Sequence, residues 1–432
     1  MAEERKLILK MLHENRISVD EADQLLSAIE SKSNPANPAK ASSAQEAPRD
    51  SSVFEKTAPK VEQFMGGLSS MIDSVSQQLG PNIEKRFEGW FQQKAAQQQS
   101  ASQSPEAPVA SNRSEVTLPV DSASQKLRCF HKLGDLKIEA YDGQEIQAIL
   151  DKQITSTQLE TKRKFEDLRL LSRQEGPILL LELPGSEGLK SSEGTVKLTL
   201  KVPASLDLDL ATEGHDIVLS KLSRTQGQVR LESQSGDLEV QDIAIKRLDL
   251  QTQSGDIFAS QATELSVIQT QSGNIKLKGA IYEAQVSTMS GQAHIEAGVN
   301  HLLKAETRSG DLNLQLLDGA GRLDLRSQSG DVELSGQIRA EASLQSASGD
   351  LQCDLVITET GSALLSSKSG DVDLILRPQS QCKVEAKATT GEIECRVELQ
   401  QKESSEHALH GMLGEASGIL KIQTESGDIL IS

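Results

Sequence analysis

Residues 231–240 read LESQSGDLEV and residues 250–259 read LQTQSGDIFA, and the two segments share one pattern. Apolar and polar residues alternate on both sides of a Gln-Ser-Gly-Asp tetrad. This is the pattern of a strand, a bend and a second strand that share one buried face. The pattern recurs every 18 to 21 residues up to Gly391, with one last copy 36 residues later. A repeat of this length predicts a solenoid with one coil per repeat.

Aligning the copies on the central glycine places apolar residues two and four positions after it and five positions before it. Two further bends fit this register, one at Gly134 and one where His215 stands in place of the glycine. The sequence therefore predicts structural turns at Gly134, His215, Gly236, Asp237, Gly255, Asp256, Gly273, Gly291, Gly310, Asp311, Gly330, Asp331, Gly349, Asp350, Gly370, Asp371, Gly391, Gly427 and Asp428.

Each bend position has a physical interpretation. Glycine suits a sharp bend because it tolerates a positive φ, and histidine tolerates that conformation better than most residues. The aspartate is expected to accept a hydrogen bond from its own backbone in an Asx-type turn. Three residues before the glycine, nine of the ten main repeats carry Ser or Thr. These hydroxyl groups are expected to stack near the corner and to bond backbone groups.

The fold class that follows is mainly β. We predict a single parallel β-helix or solenoid, right-handed, preceded by a small α-helical hairpin and an amphipathic helix on flexible linkers. The predicted boundaries are 1–30 for the hairpin, 31–52 for a linker, 53–91 for the amphipathic segment, 92–114 for a second linker and 115–432 for the solenoid.

The segment before the solenoid holds the candidate interaction residues. Its apolar residues recur at helical spacing, and half of the ten aromatic residues of the chain lie between residues 54 and 91. Three interpretations stay open: packing on the rest of the protein, contact with a membrane surface, or a binding face for amphipathic ligands. The aromatic residues that would make the contact are Phe64, Phe87, Trp90 and Phe91.

Charge limits the partners. The chain carries a formal net charge of −18, and residues 115–432 hold 32 Lys and Arg against 48 Asp and Glu, which gives −16. An acidic body of this kind repels nucleic acid and attracts cationic partners. The N-terminus has no apolar signal-peptide core, so we expect a cytoplasmic protein, peripheral to the membrane. Surface exposure by a route without a signal peptide stays open.

The sequence offers little chemistry. Phosphate-binding loops, nucleophile elbows and metalloprotease helices are absent from it, and we expect neither catalytic residues, metal nor cofactor. The aspartate column raises the question of calcium, but interruptions at Asn274, Gln292 and Glu392 count against it. Cys353 and Cys395 fall in one inward column, two coils apart, which exceeds the reach of a disulfide.

A resemblance extends this interpretation. The segments KLGDLKIEAYDGQEI (132–146) and VKLTLKVPASLDLDL (196–210), together with the QSGD turns, resemble the bacterial "putative adhesin" β-strand-repeat family. Residues 1–30 are similar to the SHOCT-like hairpin that precedes this domain in proteins of the Lia envelope-stress system. The resemblance implies a non-enzymatic role in the cell-envelope stress response.

The function expected from the sequence is therefore that of an interaction or scaffold protein linked to envelope stress. Its partners would be another protein or a cationic amphipathic peptide, with peripheral membrane contact through 53–91 and self-association through the N-terminal helices. Two alternatives stay open: a cell-surface adhesin or matrix protein, and a β-helix carbohydrate-active enzyme.

Overall fold

The computed structural model describes residues 110–319, 321–415 and 417–432. Within them the chain forms one helix, α1, at Leu159–Asp167, and 27 strands that belong to one hydrogen-bonded network. The first nine strands are β1 (Ala110–Pro119), β2 (Lys126–His131), β3 (Leu136–Tyr141), β4 (Glu145–Ile154), β5 (Leu171–Glu175), β6 (Ile178–Glu182), β7 (Gly194–Pro203), β8 (Asp207–Thr212) and β9 (Ile217–Ser220).

The regular coils follow. Their strands are β10 (Ser223–Ser233), β11 (Leu238–Thr252), β12 (Ile257–Thr270), β13 (Ile275–Thr288), β14 (Ala293–Thr307), β15 (Leu312–Gly319), β16 (Arg322–Ser327), β17 (Val332–Ile338), β18 (Glu341–Ser346), β19 (Leu351–Ile357), β20 (Ser362–Ser367) and β21 (Val372–Leu376). The C-terminal end holds β22 (Cys382–Thr390), β23 (Ile393–Cys395), β24 (Gln400–Ser404), β25 (Ala408–Leu413), β26 (Gly418–Ser426) and β27 (Ile429–Ile431).

Each coil runs from one glycine bend to the next and pairs in parallel with its neighbours. β11 and β12 pair Leu238 with Ile257 and Leu250 with Ile268, so residues at the same repeat position stack in columns. A register shift after Val240 marks a second corner of the coil. The predicted β-solenoid is confirmed. Handedness stays a prediction.

Aliphatic columns account for the scarcity of aromatic residues. The continuous core of the described residues consists of Leu, Ile, Val, Ala and Cys side chains, with Phe165 as its one aromatic member. A narrow coil has room for one inward side chain at each position, and small or branched side chains fill that room when they stack.

The C-terminal coil does not lie at the end of the solenoid. β26 pairs in parallel with β20 on one side and with β22 on the other, and β27 likewise lies between β21 and β23. The last coil of the chain is therefore inserted between two earlier coils. The expected separation of Cys353 and Cys395 was wrong for this reason, because they lie three coils apart, about 14 Å.

The N-terminal end is built in the same way. β2 and β3 lie between the β6 and β7 pair on one side and the β8 and β9 pair on the other. The coil nearest the N-terminus of the described chain is therefore again the second in space. This explains why residues 140–205 break the repeat, since they form the outer coil and its cap.

Antiparallel strands cover both ends. At one end β7 pairs with β4, and β4 pairs with β1. At the other end β22 pairs with β25, and β25 pairs with β24. Such caps keep the ends of the parallel stack from offering unpaired edges to other chains. β1 pairs with β4 from Ala110 onward, so it begins five residues inside the segment predicted as the linker 92–114.

The helix α1 is anchored to the N-terminal cap by a buried lysine. The Lys152 ammonium on β4 donates hydrogen bonds to the carbonyl oxygens of Leu168 (2.7 Å) and Glu166 (3.0 Å). Carbonyl groups at a helix C-terminus carry partial negative charge and lack partners within the helix, so a cation stabilises them. Burial lowers the pKa of Lys152.

The inserted coil can be tested by engineered disulfides. The outward positions Ser366, Gln423 and Lys387 stand side by side on β20, β26 and β22. We expect Ser366→Cys with Gln423→Cys to form a disulfide under mild oxidation, in a Cys395→Ser background. The matched pair Ser366→Cys with Lys387→Cys should not, because a strand lies between them. A cross-link in the second pair would mean that the coils stack in chain order.

Candidate functional site: the Ser-Gly-Asp corner

The bend glycines form a column in which the backbones of successive coils come unusually close. At Gly236, Gly255, Gly273 and each later bend glycine, an added Cβ would lie closer than 3 Å to the carbonyl oxygen of the bend residue in the preceding coil. Of these glycines, only Gly391 has a positive φ. The expected reason for glycine was therefore wrong at the other bends, where lack of space excludes a side chain.

The hydroxyl column lies beside the glycines and confirms the predicted backbone bonds. Thr270 Oγ1 accepts a hydrogen bond from the Gly273 amide of its own coil and donates one to the Gly255 carbonyl of the preceding coil, both at 3.1 Å. Thr288 repeats the two bonds one coil further on. These buried hydroxyls thus satisfy two backbone groups at once, which a tight bend leaves without strand partners.

The aspartates form a second ladder that differs from the expected Asx turn. Asp331 Oδ1 accepts the backbone N–H of Asp350 at 2.9 Å, and Asp350 Oδ1 accepts that of Asp371 at 2.9 Å. The bonds thus run from one coil to the next. The same bond follows the inserted coil, because Asp371 accepts from Asp428 and Asp428 from Glu392, both at 2.8 Å.

Three positions of the aspartate column hold another residue, namely Asn274, Gln292 and Glu392. Asn274 Oδ1 takes the place of a carboxylate and accepts the Gln292 amide at 3.0 Å. Gln292 instead donates its side-chain amide to Asp311 Oδ2 at 2.9 Å. The carboxylates of the remaining coils repeat at the strand spacing of about 4.8 Å, and most are exposed. Within the described residues, no group of three or more His, Cys, Asp or Glu side chains is arranged to hold a metal ion.

The first two bends, at Gly134 and His215, contact the N-terminal outer coil and its cap. A Cβ on Gly134 would again meet a backbone oxygen, that of Val196 in the outer coil. His215 does not have a positive φ, so its expected conformational role was wrong. Its ring lies against the cap, with Nε2 3.0 Å from Ser191 Oγ and Nδ1 3.9 Å from Asp135 Oδ1.

This Ser191, His215 and Asp135 group was not anticipated from the sequence. Its order resembles a nucleophile, a base and an orienting acid, but the His–Asp separation exceeds a hydrogen bond. Asp135 is also paired with Lys197 at 3.2 Å. We interpret the contacts as a tether that holds the loop before β7 on the first bends.

His131 was also missed, although it stands three residues before Gly134 and so occupies the hydroxyl column. It is buried, and its Nε2 lies 2.6 Å from the Val196 carbonyl oxygen. A carbonyl can only accept, so Nε2 carries the proton. Burial lowers the pKa of His131 to about 4, although the Val196 hydrogen bond opposes the shift.

Other predicted features lie outside the described residues. Phe64, Phe87, Trp90 and Phe91 belong to this group, as do the hairpin 1–30, the linker 31–52 and the amphipathic segment 53–91. In the part of the chain that the structure describes, no helix is long and apolar enough to cross a membrane.

The ladder predicts different outcomes for two substitutions at one position. Asp331→Ala removes the acceptor of the Asp350 amide and should cost about 1 kcal/mol, with faster hydrogen exchange at that amide. Asp331→Asn keeps an oxygen in place, as Asn274 does, and should preserve the protection of Asp350. Equal exchange in the two variants would contradict the ladder.

Two models of known protein families match parts of the chain. A model described as Toastrack DUF4097 matches residues 135–341 and 318–432, and a SHOCT-like domain model matches residues 3–34. No curated protein matches the chain.

Several solved structures are similar to it in part. A "putative adhesin" from Bacteroides fragilis NCTC 9343 is 12% identical, with 62% of this chain and 97% of that one covered and a TM-score of 0.35. A second "putative adhesin", from Parabacteroides merdae ATCC 43184, is 12% identical, with 61% and 96% covered and a TM-score of 0.39. A "Putative lipid binding protein" from Parabacteroides distasonis ATCC 8503 is 13% identical, with 75% and 97% covered and a TM-score of 0.26. Likenesses this distant do not bear on function. The two Toastrack matches, by contrast, run through nearly all of the coils described above, and by them the chain belongs to the Toastrack DUF4097 family.

Proposed function

We propose that the chain is a non-enzymatic binding protein of the cell-envelope stress response, and that its Ser-Gly-Asp corner binds cationic amphipathic peptides. The observation that carries the proposal is the aspartate ladder. Each carboxylate is held by one oxygen on the backbone of the next coil, so the charges are fixed in position before a ligand arrives. Binding then costs less conformational entropy, because the carboxylates of the protein are already ordered.

The spacing of the ladder favours a helical ligand. One turn of an α-helix rises about 5.4 Å, close to the 4.8 Å between coils, so successive turns meet successive carboxylates. Over four coils the mismatch reaches about 2 Å, which the side chain of a lysine absorbs. Charged residues on one face of an extended peptide repeat at about 6.8 Å and lose register sooner.

The overall electrostatics support the same ligand class. Residues 115–432 carry a net charge of −16, so a cationic peptide is attracted over the whole solenoid and then selects the ordered corner. The order of a SHOCT-like domain followed by the Toastrack region also resembles that of Lia-system stress proteins, which supports the envelope-stress part of the proposal.

The test is a binding titration with a synthetic helical peptide that carries lysines on one face. We expect a Kd below about 1 μM at low salt, weakened strongly near physiological salt. The variant Asp331→Asn, Asp350→Asn, Asp371→Asn keeps the ladder oxygens but removes three charges. It should raise Kd roughly tenfold, since exposed ion pairs contribute about 0.5 kcal/mol each.

A matched control removes the same charge elsewhere. Asp318→Asn, Glu341→Gln and Glu359→Gln replace exposed carboxylates that lie 8 to 11 residues after the bend glycines, far from the corner, and together they should change Kd far less. Equal weakening in both triple variants would mean that the net negative charge attracts the peptide without selecting the corner. Absence of submicromolar binding at low salt would refute the proposed function.

The proposal includes a location, which is the cytoplasm and the periphery of the membrane. Cell fractionation with and without a cationic peptide stress should find the intact chain in the cytosol and move part of it to the membrane fraction under stress. Recovery at the cell surface in both conditions would instead favour the adhesin alternative.

A further inference from the structure

The caps of the solenoid have sheet edges of their own, and one of them is long. Among the described residues, four strands pair on one side only, namely β1, β5, β23 and β24. β5 and β24 have five residues each and β23 has three, whereas β1 has ten, all paired with β4 without a register shift. Proteins usually keep a free edge short or irregular, so that no other strand adds to it.

The cap at the other end of the solenoid shows the contrast. β24 has a register shift between Gln400 and Glu403, and Gln401 has a φ of 50°. Such an irregularity bends a strand and interrupts its row of hydrogen-bonding groups. In β1 the row is regular over the whole strand, and every second N–H and C=O group points away from β4. The outer edge of β1 is therefore a template for one more strand.

The register of such a pair is limited when the added strand is β1 of a second copy. In β1 the even-numbered side chains, such as Ser114, Val116 and Leu118, are the less exposed ones. Two antiparallel copies keep their buried faces on one side only if even-numbered residues stand opposite even-numbered ones. Between Ala110 and Pro119, two such registers pair nine residues, and all others pair fewer.

Charge distinguishes the two registers. One places Ser114 opposite Ser114 of the second copy, so Arg113 of each copy stands opposite Glu115 of the other. The other register places the two Glu115 carboxylates directly opposite, which is destabilising, and brings Pro119, which has no N–H, into the ladder. Arg113 and Glu115 are exposed and lie 3.6 Å apart within one chain, so the first register alternates four charges across the pair.

Ser114 itself provides an independent observation. Its hydroxyl oxygen is buried and has no hydrogen-bond partner within the described residues. A buried hydroxyl without a partner is costly, and a serine hydroxyl both donates and accepts. In the first register the two Ser114 Cβ atoms lie about 5 Å apart, so rotation about one bond brings the hydroxyls within hydrogen-bond distance of each other.

We propose that β1 pairs antiparallel with β1 of a second copy of the chain, with Ser114 on the two-fold axis. The sheets of the two solenoids then become continuous at their N-terminal caps. This contact differs from the self-association expected through residues 1–30, and it uses none of the aspartates of the Ser-Gly-Asp corner.

Charge reversal in the full chain tests the register. Light scattering over a concentration series should show a dimer of the parent chain. Arg113→Glu should raise the dimer Kd at least about tenfold, and so should Glu115→Arg, because each places like charges opposite each other twice. The double variant Arg113→Glu, Glu115→Arg pairs opposite charges again and should restore the dimer. As a matched control, Arg173→Glu breaks the ion pair with Glu175 on the short edge strand β5 and should leave Kd unchanged.

Disulfide formation gives a second measurement. In a Cys395→Ser background, Ser114→Cys should join two copies under mild oxidation, since opposite Cα atoms lie about 5 Å apart. Val116→Cys is the matched control, because it points to the same face but stands opposite Asn112. It lies about 14 Å from Val116→Cys of the second copy, so this variant should stay reduced.

Three outcomes would overturn the proposal. A parent chain that stays monomeric at every concentration would mean that β1 remains a free edge. A dimer that neither single charge reversal weakens would have its contact elsewhere, for example in residues 1–30. Single variants that weaken the dimer, with unchanged circular dichroism, and a double variant that does not restore it would contradict the register.

Discussion

Replacing Gly291 by alanine should destabilise the solenoid by about 3 kcal/mol, in the range seen when a packed site must accept an extra methyl group. The added Cβ would point at the carbonyl oxygen of Gly273 in the preceding coil, and backbone on both sides prevents relaxation. The effect should reach the hydroxyl bonds of Thr288, which join the same two glycines. Urea unfolding monitored by circular dichroism measures the change.

Gly214→Ala is the matched control. Gly214 adjoins the same corner at His215, but nothing lies within 4 Å of an added Cβ there. We expect its free energy of unfolding to stay within about 0.5 kcal/mol of the parent. If both substitutions had equally small effects, close contact between coils would not be the reason for glycine.

Acidification should destabilise the N-terminal coils through His131. Its pKa is about 4 in the folded protein because burial disfavours the charged ring, whereas the unfolded chain has the ordinary value near 6.5. Between these two pKa values the unfolded state binds a proton that the folded state does not bind. The free energy of unfolding therefore falls as the pH falls. The contribution is fully present above pH 6.5 and is lost by about pH 4, about 3 kcal/mol in all.

The variant His131→Thr isolates this contribution, because threonine is the usual residue of that column and Thr212 occupies it in the next coil. We expect the variant to lose about 3 kcal/mol less than the parent between pH 7 and pH 4, in urea unfolding at each pH. His215 and Asp135, which also act on His131, remain in both proteins. Parallel pH profiles would assign the acid sensitivity to other groups.

The repeat pattern predicted the coil and its inward columns, because alternation with a period of two on both sides of a bend indicates two strands that share one buried face. It could not predict the order of the coils. Residues 382–395 and 418–431 carry the same pattern, so either could stack on β20 and β21. The 36-residue gap between Gly391 and Gly427 was the available signal, since it leaves room for the hairpin of β24 and β25.

The contacts at the Ser-Gly-Asp corner differ from those expected from the sequence. Gly273 and Asp331 owe their identities to the coil next to them, and contacts between coils do not follow from the residues of one bend. His131 could have been found, because counting back three residues from Gly134 gives its column. The Ser191 tether could not, since it joins a bend to a loop of the cap that has no repeat register.

If the aspartate ladder is the surface that binds a cationic peptide, zero-length cross-linking should join the peptide to it. A carbodiimide joins a carboxylate only to an amine in contact with it, and mass spectrometry then identifies the joined residues. We predict that peptide lysines couple to consecutive coils at Asp311, Asp331, Asp350 and Asp371. Coupling spread evenly over acidic residues far from the corner, such as Asp318, Glu341 and Glu359, would mean that the peptide does not bind along the ladder.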